Sequence, residues 1–127
     1  REGKEVTMKT TIDLIIDKAA ADATKVVDVS WYDKVLLLID YVYDGVDSAG
    51  TLTFYGAVDD KAITKYLLGI KPVLTGAIDA DGAIAFTSTS TKVMYEVVGT
   101  HKYLYLDWNE TTAGAILSAW LIGKEER

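Results

Sequence analysis

His101 is the only histidine in this chain and there is no cysteine, so few groups are equipped for nucleophilic chemistry. A serine or threonine nucleophile needs a base within hydrogen-bond reach. Ser30, Ser48, Ser88, Ser90 and Ser118 sit in no nucleophile-elbow context, and His101 reads as an exposed turn residue. No glycine loop of the phosphate-cradling type is present. Carboxylates are plentiful, as a glycosidase-like acid/base pair would require. Yet Asp44, Asp47, Asp59, Asp60, Asp79 and Asp81 fall in runs that read as turns, where Asp serves local hydrogen bonding. Asp79-Ala80-Asp81-Gly82 resembles the opening of a calcium loop, but the closing Glu is missing and a strand-like run follows. Asp79/Asp81, like the Asp44/Asp47 loop, therefore reads as a plain turn. The expectation is no catalytic, metal or cofactor-binding residue, no cofactor, and no enzymatic activity.

Aromatic residues are the more suggestive feature. Eight Tyr and three Trp fall mostly in strand-like runs. Tyr and Trp fill cores and subunit interfaces alike. Tyr41, Tyr43, Tyr103, Tyr105 and Trp108 are the candidate interface aromatics; the alternative is a stacking platform for sugars. Asn109-Glu110-Thr111 is an acceptor triplet for N-glycosylation, placed by the sequence in a loop.

These residues must be positioned by strands. A unit occurs twice: Val27–Lys34, Val35–Ile39 and Ala49–Phe54, then Tyr95–Lys102, Tyr103–Leu106 and Ala113–Leu117. Each copy reads strand, tight turn, long strand, loop, strand. Val35, Leu37, Ile39, Tyr41 and Tyr43 occupy one parity of the first long strand, while Leu36 and Leu38 make the other parity partly apolar too. One face of a sandwich suffices for a core, so the second asks for cover. Ala62–Ile70 fits helical spacing at Ile63, Tyr66, Leu67 and Ile70 but is read as strand from its neighbours; Pro72 marks an edge or a break. Val6–Ile16 alternates and reads as a strand or extended arm, with Met8, Ile12, Leu14 and Ile16 as anchors, each worth about 1.5–3 kcal/mol if fully buried. The expected division is an arm and connector over 1–24, a sandwich over 25–123 and a charged tail over 124–127.

The 127 residues suffice for one domain, with 50% hydrophobic and 25% charged residues. A net charge of −6 argues against phosphate-backbone binding, and the apolar run Val35–Ile39 is too short to span a bilayer. Nucleic acid and membrane insertion are thus not expected partners. Arg1 in place of Met fits a removed leader or a chain trimmed at its start.

Val27-Asp28-Val29-Ser30 with Tyr32, Gly50-Thr51-Leu52-Thr53-Phe54 through Val58-Asp59, and Lys102-Tyr103-Leu104 through Gly114 together resemble a family of small β-sandwich virion proteins of tailed phages. The resemblance covers about residues 25–122. Trp31 stands where that family has a small turn residue, and Lys61–Val73 does not match its pattern. The resemblance implies a structural role, such as capsid decoration or another accessory virion part, in an oligomer, and carries over no active site.

The expected fold is an all-β, two-sheet β-sandwich of jelly-roll type, with pseudo-twofold repeated halves and an extended N-terminal arm. The expected function is a non-enzymatic virion subunit. Its partners would be itself, as a homo-oligomer, and a major capsid or other virion protein. The alternatives are an extracellular filament or pilus-like subunit polymerising by strand donation, which the absent Met and the Asn109 triplet favour, and a carbohydrate-binding module. On the arm reading, deleting residues 1–17 leaves a folded sandwich that assembles poorly.

Overall fold

The computed structural model describes residues 8–73, 82–98 and 102–126. Among these residues ten strands follow in order: β1 Met8–Ala19, β2 Ala23–Asp28, β3 Lys34–Val42, β4 Ala49–Ala57, β5 Lys65–Leu67, β6 Gly69–Pro72, β7 Ala83–Phe86, β8 Thr91–Val98, β9 Tyr103–Thr112 and β10 Ile116–Glu126. They form two antiparallel sheets. The first runs β1-β10-β3-β8-β6 and the second β2-β9-β4-β5, with β7 also pairing with β4. Ala62–Ile70, ambiguous in sequence, contributes two short strands, and Pro72 ends edge strand β6, where its missing N–H is tolerated.

The core lies between the sheets and follows strand parity. Val35, Leu37, Ile39 and Tyr41 of β3 face it beside Gly123, Leu121, Ala119 and Leu117 of β10. Leu104, Leu106 and Trp108 of β9 face it from the second sheet, beside Leu52 and Phe54 of β4. Close backbone approach is used twice. A Cβ added at Gly123 would run into the Tyr32 ring, and one at Gly56 into the Tyr66 ring. Glycine at each place lets a tyrosine close one end of the core.

The turn between β2 and β3 is set by Asp28, whose Oδ1 accepts hydrogen bonds from the Ser30 N–H (2.9 Å) and Ser30 hydroxyl (2.6 Å). The Asp33 N–H donates to the Lys124 carbonyl (2.8 Å), tying this turn to β10.

Three expectations change. β1 is paired along its length with β10 of the same chain, so the segment read as a strand or extended arm is an edge strand of the first sheet. It extends through Asp17–Ala19, read as connector, and the expected boundary at 24/25 falls inside β2. The expected tail does not start at 124, because β10 continues to Glu126 and pairs Lys124 with Lys34.

Candidate functional site

Two of the carboxylates read as turn residues, Asp44 and Asp59, are used as such. Asp44 Oδ1 accepts from the backbone N–H groups of Val46 (2.8 Å), Ser48 (3.1 Å) and Asp47 (3.2 Å). Those donors, Val46 foremost, hold its carboxyl below the ordinary range. Asp59 takes hydrogen bonds from the N–H groups of Thr64, Ile63 and Lys61, all at 3.0 Å, and its pKa is lowered for that reason. An oxygen so occupied is a poor general base and a poor cation ligand. Among the described residues no three His, Cys, Asp or Glu gather as a metal set. Asp79, Asp81 and His101 lie outside the described residues.

Glu110 behaves differently. Burial pushes its carboxyl up, Asp22 adds repulsion, and its Oε1 is buried without a hydrogen-bond partner. The backbone N–H of Glu110 donates to Asp22 Oδ1 at 2.7 Å. Asn109 is exposed but belongs to β9, paired with Thr51, and is not in a loop.

The aromatic candidates divide by parity. Tyr41 and Trp108 are fully buried, which corrects their reading as interface residues. Tyr41 stacks on Phe86 (centroids 4.9 Å apart), and Trp108 meets both rings edge-on at 6.1 and 6.2 Å. The Tyr41 hydroxyl donates to the carbonyls of Thr87 (2.7 Å) and Ser48 (3.0 Å), so its polar end is satisfied inside the core. Tyr43 is half-buried against the edge of that core, and its hydroxyl pKa is raised by burial and by nearby Asp44 and Asp47.

Tyr103 and Tyr105 have the opposite parity on β9 and stand on the outer face of the second sheet. Tyr105 is paired with Tyr55, ring centroids 5.8 Å apart, and Lys65 Nζ lies 5.5 Å from both rings. Lys102 Nζ lies 5.5 Å from the Tyr103 ring. This is a half-buried aromatic ledge bordered by two cations.

The arm candidates are also split. The register of β1 on β10 shifts between Leu14 and Ile16. Ile16 enters the core, whereas Ile12 (64% exposed) and Leu14 (46%) stay on the outer face of the first sheet. Of Met8 only its pairing with Glu126 is described.

Beside Ile12 and Leu14, that outer face carries residues that the interface candidates did not include. Register places Leu14, Trp120, Leu38 and Met94 in one row across four strands, and Ile12, Ile122 and Leu36 in the adjacent row, which ends in Glu96 and Lys71. None of these apolar side chains belongs to the core cluster. Lys71 and Glu96 form an ion pair at 3.5 Å on the rim. At the far end, Asp40, Val42, Ser90, Thr91 and Lys92 border an open depression of about 470 Å³. The available signal was the second apolar parity: Leu36 and Leu38 on β3, Trp120 and Ile122 on β10.

No family model matches this chain, and no curated protein matches it. Among solved structures it is similar to the SPBc2 prophage-derived protein YomS, with a TM-score of 0.62 and 12% identity, over 94% of this chain and 96% of that one. At that identity the likeness concerns the fold alone, and it agrees with a two-sheet all-β architecture. A looser match is to a chain of Desmodium yellow mottle tymovirus, with a TM-score of 0.43, 10% identity, and coverage of 100% and 92%.

Proposed function

We propose that this chain is a non-enzymatic structural subunit of a virion, a capsid-decorating or accessory protein that assembles through the faces of its sandwich. The observation that carries the proposal is the apolar outer face of the first sheet. Four strands place Leu, Ile, Trp and Met side chains on the side away from the core, Ile12 and Leu14 exposed and the others half-buried, where an antiparallel sheet facing water is ordinarily polar. A contiguous patch of this kind marks an interaction surface. The phage-family resemblance of Val27–Tyr32, Gly50–Asp59 and Lys102–Ile116, and the shared fold with a prophage-derived protein, support placing that surface in a virion.

The jelly-roll, pseudo-twofold description belongs to the same reading. β3 lies between β8 and β10 in the first sheet, as β9 lies between β2 and β4 in the second. Exchanging β2-β3-β4 for β8-β9-β10 therefore reproduces the pairing, as two similar halves require.

Sedimentation at micromolar concentration tests the proposal. It predicts a species larger than the 13.9 kDa chain; a clean monomer would count against it. Strand donation draws less support, since β1 is satisfied by β10 of its own chain. A carbohydrate-binding module remains the second reading, because Tyr55, Tyr103 and Tyr105 share one open face. Calorimetric titration with soluble polysaccharides, repeated on Tyr105→Ala, separates it from the first.

A further inference from the structure

We propose that the outer face of the first sheet pairs with the same face of a second copy of this chain. The two copies would be related by a twofold axis lying in the interface, perpendicular to the strands, at the level of Leu37 and Leu121. This rests on the structural-subunit reading above and specifies its first contact. A closed pair of identical chains has a self-complementary interface, so the pattern on one face must fit its own rotated image. On β3 the outward residues run Lys34, Leu36, Leu38, Asp40, a cation and an anion flanking two leucines. The proposed axis reverses the strand direction and keeps the lateral order of strands. It lays Leu36 over Leu38 of the second copy, Ile122 over Trp120, and Lys34 over Asp40.

The other in-plane twofold, parallel to the strands, keeps each row opposite itself. The row that holds the neighbours Lys34 and Lys124 would then lie over the same row of the second copy, bringing lysine toward lysine. Like charges brought together in this way disfavour that arrangement. Lys92, paired with Asp40 across β3 and β8, falls over the less polar β8 end near Val98, and Glu96, ion-paired sideways with Lys71 of the edge strand, falls over Met94.

The size is adequate. Five strands span about 24 Å, and the segment from Lys34 to Asp40 spans about 20 Å. The flat footprint is about 500 Å². Protruding side chains raise the accessible area toward the roughly 800 Å² per partner typical of a stable interface. An apolar centre with a charged rim is also the usual anatomy of such contacts.

Charge exchange tests the orientation directly. Lys34→Asp alone places two carboxylates opposite each other at both symmetry-related contacts, and Asp40→Lys alone places two ammonium groups there. Each variant, checked for fold by circular dichroism, should lose at least about tenfold in self-association by sedimentation. An equimolar mixture of the two should associate again, because both contacts become Asp against Lys. Radical footprinting of the unmodified chain gives a readout independent of any variant: Met94 and Trp120 should be protected at high concentration and labelled on dilution. If the chain assembles while Met94 and Trp120 stay labelled, or the mixture fails to recover, this pairing is wrong and the structural-subunit reading stands. If the chain is a monomer at every concentration, both fall.

Discussion

Leu14 and Ile16, two residues apart on one strand, lie on opposite faces of the first sheet. Leu14 pairs with Trp120 outside and Ile16 with Ala119 inside, because the register slips by one between them. A bulge adds a residue to one strand and reverses the parity beyond it. One strand thereby contributes to the core and to the candidate assembly face. The two substitutions should separate accordingly. Ile16→Ala should cost about 2–4 kcal/mol in denaturant unfolding by opening a cavity. Leu14→Ala should change monomer stability by about 0.5 kcal/mol or less while weakening self-association.

Deleting residues 1–17 should do more than impair assembly. It removes Ile16 from the core and uncovers the edge of β10. The expected outcome is a lower and broader thermal transition by circular dichroism, or loss of the transition. An unchanged melting curve would show that β1 is dispensable to the fold.

Gly123→Ala should destabilise by about 1–3 kcal/mol, since the new methyl meets the Tyr32 ring. The double variant Gly123→Ala/Tyr32→Ala should lose less than the two single losses added, because removing the ring relieves the clash. Additive losses would mean that ring and glycine do not bear on each other.

Tyr41→Phe should cost about 1–3 kcal/mol. The ring stack on Phe86 survives, but the carbonyls of Ser48 and Thr87 lose their shared donor. Urea unfolding against the unmodified chain measures it.

Acid should weaken the fold through Asp44 and Asp59. Their folded pKa values lie below the ordinary 3.8, so the stability they contribute is present above that value and is lost as pH falls through the lower folded values. Glu110 has the opposite sign: its raised pKa makes its protonated form favour folding, and that contribution fades as pH rises past the folded value. Melting temperature followed from pH 5 downward should fall less steeply for Asp59→Asn than for the unmodified chain.

Strand parity made much of this fold readable. The alternation Val35-Leu37-Ile39-Tyr41 marks one face of β3, and that face lines the core, Tyr41 included. Trp108 could also have been placed there, since it shares the parity of Leu104 and Leu106, whereas Tyr103 and Tyr105 do not. Residue type alone misled, because a tyrosine or tryptophan serves either place. The β1 bulge left no mark in the spacing of Ile12, Leu14 and Ile16, which alternate as an uninterrupted strand would. The pairing of β1 with β10 joins opposite ends of the chain, and nothing local specifies it. The second apolar parity was legible on β3 alone; register joined Leu36 and Leu38 to Ile122 and Trp120 in one face.

The central claim is that the outer face of the first sheet is an assembly surface. Sedimentation velocity of the unmodified chain and of Trp120→Lys, over the same micromolar concentration series, tests it most directly. The unmodified chain should sediment as a species larger than 13.9 kDa and the variant as a folded monomer. Identical sedimentation of the two would contradict it.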